Sequence, residues 1–122
     1  MIWRSDNAAQ CDYFNQRWLA FTGRRLEDEL GDGWSNGVHP EDRDRCLKMY
    51  RDAFDRRDAF EVEYRLRRYD GEYRWVLDTG GPVYDATGEF VGYVGSAVDV
   101  TDRVEARAAL ARTTLKDLGL AT

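Results

Sequence analysis

From Phe60 the side chains alternate: Phe60, Val62, Tyr64 and Leu66 are apolar, while Glu61, Glu63, Arg65 and Arg67 are charged. That period of two is what a half-buried strand requires. Upstream the period is helical. Cys46, Leu47, Tyr50, Ala53 and Phe54 form one apolar stripe, with Arg43, Asp44, Lys48, Arg51, Asp52 and Asp55 elsewhere on the surface. Pro40 suits the first helical position, and Glu41 and Asp42 set negative charge where the helix dipole favours it. Arg56, Arg57 and Asp58 end the segment, so the longest helix is predicted to begin at Pro40 and to run directly into the first long strand.

The same reading extends both ways. Ile2–Ser5 and Cys11–Phe14 read as a hairpin around the turn formers at 6–10. Asn15 is a good N-cap for a short helix carrying Trp18, Leu19 and Phe21, and Gly23 is placed to stop it. Leu26 and Leu30 suggest a second short helical piece, broken by Gly31, Asp32 and Gly33 before Trp34. After the strand from Phe60, Asp70 and Gly71 signal a hairpin turn. The next strand, Tyr73–Tyr84, is expected to bend or bulge at Gly80, Gly81 and Pro82. A turn over 85–89 leads to a last strand over 90–100. Its nearly unbroken apolar or small character predicts a central strand covered on both faces. Thr101 or Asp102 is predicted to cap a final helix, Asp102 pairing with Glu105 as in a capping box. Val104, Ala108, Ala111, Leu115 and Leu118 then fall on a heptad seam, weak because alanines occupy much of it.

Composition narrows the class. The 122 residues suit a single α+β domain, and four Trp, seven Tyr and five Phe mark a chain that folds around a core. Eighteen basic residues scattered among 23 acidic ones, for a net charge of −5, argue against nucleic acid as a partner. Arg65, Arg67 and Arg68 sit beside Glu61 and Glu63, which predicts cross-strand charge pairing. Cys11 and Cys46 show neither disulfide nor zinc spacing, so no metal is expected. No apolar stretch is long enough for a membrane span, and a cytoplasmic domain without direct membrane contact is expected, within a parent that could itself be anchored.

Four ordered words carry a resemblance. They are Phe14-Asn15-Gln16-Arg17-Trp18-Leu19-Ala20-Phe21-Thr22-Gly23; Gly33-Trp34 with Val38-His39-Pro40-Glu41-Asp42-Arg43; Tyr64-Arg65-Leu66-Arg67-Arg68 with Asp70-Gly71-Glu72-Tyr73-Arg74-Trp75; and Gly92-Tyr93-Val94-Gly95 with Asp99-Val100-Thr101-Asp102-Arg103. Together they resemble the PAS family with its C-terminal PAC segment, over roughly residues 1–103. The resemblance implies a five-stranded antiparallel sheet of order 2-1-5-4-3 with helices over one face, a cavity between, and a linker helix over 104–122. It also implies a sensory module of a larger signalling protein, first a sensor histidine kinase of a two-component system, with a diguanylate cyclase or phosphodiesterase as an alternative.

Candidate chemistry is sparse. His39, the only histidine, stands at a helix start inside a structural word, so heme ligation is not expected. A flavin adduct would need a cysteine in an N-C-R-F-L-like word before the long helix, which is missing; Cys46 reads as a small core residue. No nucleophile elbow, metal cluster or phosphate loop points to an enzyme. The aromatic residues Trp18, Phe21, Trp34, Tyr50, Phe54, Tyr64, Trp75 and Tyr93 should converge between sheet and helices. Either they close a dry core, leaving a ligand-free interaction and dimerisation module, or they line a pocket for a small apolar or aromatic ligand, with Tyr64, Thr79, Tyr93 and Ser96 as polar handles. For signal relay, Asp99 is expected to pair with Arg74, or with backbone amides near Thr101, and so tie the sheet to the exit helix. That helix would drive an output domain in a parent homodimer.

Overall fold

The computed structural model describes residues 1–120. Two short strands, β1 (Ile2–Ser5) and β2 (Cys11–Phe14), form the opening hairpin. The helices α1 (Gln16–Thr22) and α2 (Leu26–Glu29), a 3₁₀ turn at Gly33–Gly37 and α3 (Pro40–Arg56) follow. Three long strands, β3 (Phe60–Arg67), β4 (Tyr73–Tyr84) and β5 (Phe90–Asp99), complete one antiparallel sheet of order β2-β1-β5-β4-β3, and α4 (Thr101–Asp117) leaves it.

Local chemistry sets the short elements. The Asn15 carboxamide accepts the Trp18 N–H at 3.1 Å, capping α1, and also the Ile2 N–H at 3.0 Å, which ties the helix start to β1. Gly23 takes the left-handed φ of 69° and ends α1. The indole of Trp18 donates to the buried Glu29 carboxylate at 2.8 Å, and Arg24 pairs with the same carboxylate, so α1 and α2 close on one polar contact inside the core.

The start of α3 is held to β3. Asp42, in the first turn of α3, accepts the Arg65 backbone N–H and Nε–H at 2.9 Å each through Oδ2, and Nη2–H at 2.8 Å through Oδ1. These bonds from Arg65 hold the Asp42 carboxyl down at about 2. That depression stabilises the fold by about 2 kcal/mol above pH 4, and the gain is lost as the pH falls toward 2. His39 spends its side chain on the cap of the same helix, its Nδ1 accepting the Glu41 N–H at 3.1 Å while its ring packs on Tyr73.

The core lies between the sheet's inner face and these helices. Trp18, Tyr64, Leu66 and Val76 are no more than 1% exposed, and each such buried side chain contributes roughly 2–3 kcal/mol of transfer free energy. Trp3 enters this core by lying across the sheet, opposite Gly95 in the register and beside Gly80, itself paired with Gly95. A Cβ on Gly95 would stand 2.3 Å from the indole, and one on Gly80 would stand 2.7 Å from the Phe60 ring. Both positions are glycine because an aromatic ring needs that space.

Several expectations are corrected. β4 runs unbroken through Gly80, Gly81 and Pro82; the bulge lies at Val83/Tyr84, where Val91 is the extra residue on β5. β5 is central but not covered on both faces: Val91, Val94 and Val98 are 43%, 43% and 53% exposed, because the helices cover only the inner face. Arg65, Arg67 and Arg68 do not pair with Glu61 and Glu63 across strands. Arg65 reaches into α3, Arg68 binds Asp70 and Glu72, and Glu63 is taken by Arg107 and Arg103 of α4. The start of α4 is capped by Asp99, which accepts the Thr101 N–H at 3.0 Å, and not by the side chain of Thr101 or Asp102.

Candidate functional site

A cavity of about 30 Å³ lies between the sheet and the helices. Its floor is the inner face of the sheet, where Val62, Tyr64 and Asp78 stand; Trp3 and Phe60 close one side. Cys11 and Phe14 of β2, Trp18 of α1, Trp34, and Cys46, Met49 and Tyr50 of α3 form the remaining wall. Asp78 is the one carboxylate among the lining residues. The Trp3 indole donates to its Oδ1 at 2.8 Å and the Tyr64 hydroxyl to its Oδ2 at 2.8 Å.

Burial dominates the electrostatics. It pushes the Asp78 carboxyl up to about 7, against the pull of the Trp3 and Tyr64 donors. It also raises the Tyr64 hydroxyl, with the Asp78 charge adding to the effect. The Cys46 thiol is pushed up to about 11, and the Cys11 thiol higher still, by burial first and then, for Cys11, by Asp78. Both cysteines are therefore protonated, weakly reactive core groups. Trp34 contributes an unusual donor: its Nε1 is buried and meets no acceptor among the described residues.

Of the sequence-derived pocket residues, Trp18, Trp34, Tyr50 and Tyr64 line this cavity. Phe54 and Tyr93 are buried beside it as a stacked pair, rings 5.3 Å apart, and the Tyr93 hydroxyl lies within reach of two carbonyls at the end of α3, Ala53 (2.8 Å) and Asp58 just beyond it (2.6 Å), its single proton being shared between them. Phe21 is only partly buried and packs against the core without lining the cavity. Trp75, Thr79 and Ser96 are corrected outright, since they stand on the outer face of the sheet. Thr79 and Ser96 are register partners whose exposed hydroxyls lie 3.5 Å apart, and Trp75 lies under the Arg65 guanidinium, 5.1 Å from its ring. Sequence reasoning missed Trp3 and Asp78. The alternation in β4 misled it, because the more apolar set of that strand, Tyr73, Trp75 and Leu77, faces out while Val76 and Asp78 face in.

A second cluster joins the sheet to α4. Arg74 Nε donates to Asp99 Oδ2 at 2.8 Å, the Trp75 N–H donates to Thr101 Oγ1 at 2.9 Å, and the Val100 N–H donates to the Trp75 carbonyl at 2.8 Å. Burial works to raise the Asp99 carboxyl, but the bonds from Arg74 and Thr101 outweigh it and hold the group below the usual carboxylate range. Farther along α4, Arg107 reaches Glu63 Oε2 at 2.9 Å on the outer face of β3. Ala108, Ala111, Leu115 and Leu118 of the heptad seam are exposed.

This architecture coincides with a sequence match: the profile of the PAS fold covers residues 12–97. The chain belongs to the PAS-fold family. As a PAS domain it is a sensory module and not itself an enzyme. The PAS domain is 42% identical over 103 residues to the uncharacterized protein y4lL of Sinorhizobium fredii, covering 84% of this chain and 12% of that protein. It is 37% identical over 73 residues to the peroxide stress-activated histidine kinase mak1 of Schizosaccharomyces pombe, covering 53% of this chain and 4% of that one. The chain thus spans a small part of the curated relatives it matches. Among solved structures, a sensory box histidine kinase/response regulator from Burkholderia thailandensis is similar at a TM-score of 0.69 and 30% identity, over 96% of this chain and 88% of that one. The N-terminal domain of a Marinobacter aquaeolei diguanylate cyclase with PAS/PAC sensor shares the fold at a TM-score of 0.72 and 22% identity, over 84% and 95%.

Light-oxygen-voltage domains are also structural neighbours, one an RNA-binding receptor at a TM-score of 0.74 and 27% identity, over 93% of this PAS domain and 33% of that chain, another described with a flavin analogue. The residues of this PAS domain do not fit a flavin. A cavity of about 30 Å³ is an order of magnitude below the roughly 300–1,000 Å³ of ligand pockets, and Trp3, Trp34, Tyr50 and Phe60 occupy the volume around it. Among the described residues no cluster of three or more His, Cys, Asp or Glu is placed to hold a metal ion, and no helix is long and apolar enough to cross a membrane.

Proposed function

We propose that this PAS domain is the sensory and regulatory unit of a larger signal-transduction protein, a sensor histidine kinase in the first place, and that it relays its state to an output domain through α4. The Asp99 junction carries the reading. One carboxylate binds Arg74 on β4 through Oδ2 and caps the first turn of α4 through Oδ1, so a shift between β4 and β5 must move the helix start. The pair Glu63–Arg107 extends that grip along α4. Similarity to two histidine kinases supports the class of parent, and similarity in fold to a diguanylate cyclase sensor supports a cyclic-dinucleotide enzyme as the alternative. The exposed seam of α4 and the apolar outer face of β5 suit a cytoplasmic homodimer completed by the parent.

A ligand-free interaction module is the second reading, favoured by how fully the aromatic side chains fill the interior. The experiment is Asp99→Ala in the full-length parent. The variant is expected to fold with an unchanged thermal midpoint to within a few degrees and to lose stimulus-dependent control of output; normal regulation in that variant refutes the relay.

A further inference from the structure

The cavity's carboxylate has no bonded counter-ion. Asp78 is 6% exposed and its two hydrogen-bond partners are the neutral donors of Trp3 and Tyr64; among the described residues the cation acting on it is the Met1 ammonium, which donates to the Ala97 carbonyl and not to Asp78. A desolvated carboxylate without a bonded cation is costly, and it is relieved either by a proton or by a positive partner. The cavity is lined by the aromatic rings of Trp18, Trp34, Tyr50 and Phe60, the residue types whose π systems attract a desolvated cation. Trp34 adds a buried N–H with no acceptor among the described residues. A group that satisfied both ends would carry a positive donor for Asp78 and an oxygen acceptor for Trp34.

Access is available along one line. Met49 and Phe60 line the cavity and also the broad surface groove between α3 and β3. Met49 is unbranched, with three rotatable bonds, so its displacement opens the interior to that groove without breaking the sheet. At about 30 Å³ the closed cavity has room for one water-sized group, so a ligand of a few heavy atoms requires Met49 to swing aside.

We propose that this cavity is a binding site for a small organic cation, a protonated amine of a few heavy atoms bearing a hydroxyl or similar acceptor, with the ammonium paired to Asp78 and the acceptor received by Trp34. The inference goes beyond the sensory reading by naming a ligand class, and it is tested on the domain alone, so its failure leaves the Asp99 relay standing.

The probes are methylammonium and 2-hydroxyethylammonium chlorides, against ethylene glycol as the neutral counterpart and sodium chloride at matched ionic strength, read by calorimetric titration and thermal shift. Saturable binding of 2-hydroxyethylammonium at least tenfold tighter than ethylene glycol is expected. The affinity should weaken about tenfold for each pH unit below neutrality, where Asp78 must release a proton to accept the cation. Asp78→Asn should abolish ammonium binding. Trp34→Phe, which keeps the ring and removes the N–H, should bring 2-hydroxyethylammonium down to the affinity of methylammonium while leaving methylammonium unchanged. Equal affinity for the neutral and cationic probes overturns the proposal, as does a thermal shift that follows pH with no dependence on either ammonium, or the lack of saturable binding by both.

Discussion

Replacing Asp78 by Asn isolates the cost of a carboxylate held among aromatic rings. With the folded-state value raised from 3.8 to about 7, the group binds its proton more tightly in the folded chain than in the unfolded one. Stability is therefore greatest below the unfolded value and is lost as the pH rises through about 7. Between pH 5.5 and pH 8 that linkage amounts to about 2 kcal/mol, since one unit of difference is about 1.4 kcal/mol and roughly a unit and a half of the shift lies in that window. Asn keeps the shape and one acceptor for the Trp3 indole, and the Tyr64 hydroxyl can turn to accept from its amide. The side chains facing Asp78 are Trp3, Tyr64, Cys11, Cys46 and Tyr50, all neutral in this range, and the one charged group acting on it is the Met1 ammonium, which is common to both proteins and so drops out of the comparison. Urea denaturation at the two pH values should show the wild-type midpoint falling on going to pH 8 relative to Asp78→Asn, by a free energy on the order of 2 kcal/mol. A difference between the two proteins that stays constant from pH 5.5 to pH 8 would refute the reasoning.

Two further tests address the same core. Gly95→Ala would set a Cβ 2.3 Å from the Trp3 indole and 2.6 Å from the Thr79 carbonyl; overpacking of this kind costs about 1–3 kcal/mol, so the thermal midpoint should drop by several degrees, and an unchanged midpoint contradicts the seat assigned to Trp3. Cys11 and Cys46 should stay inert to a thiol reagent in the native protein at pH 8 and react fully in denaturant; native-state labelling of either would show that burial does not control them.

Much of the fold was legible because its signals are local. The Asn15 cap, the Gly23 stop, the Pro40 start and the alternation of Phe60, Val62, Tyr64 and Leu66 each depend on residues within a turn or two of one another. The candidate site was legible only in part. The size and position of Trp18, Trp34, Tyr50 and Tyr64 point to the cavity they line, but nothing local in the sequence separates the outward Trp75, Thr79 and Ser96 from the inward Asp78, or marks Trp3. The antiparallel order of the last two strands is enough to bring Arg74 and Asp99 together, and they lie 2.8 Å apart.

The order and type of the elements, with the ordered words that mark the family, follow from the chain by itself, since periodicity, caps and turns act over a few residues. Which face of the sheet is inside does not. A strand offers two sets of side chains, and in β4 the local pattern favours the outer one; only the packing of α1, α2 and α3 over the other face, with two glycines letting Trp3 lie flat, turns Asp78 inward. The charged centre of the cavity is thus a product of tertiary packing, because burial, which raises its carboxyl to about 7, exists only once distant elements have closed around it.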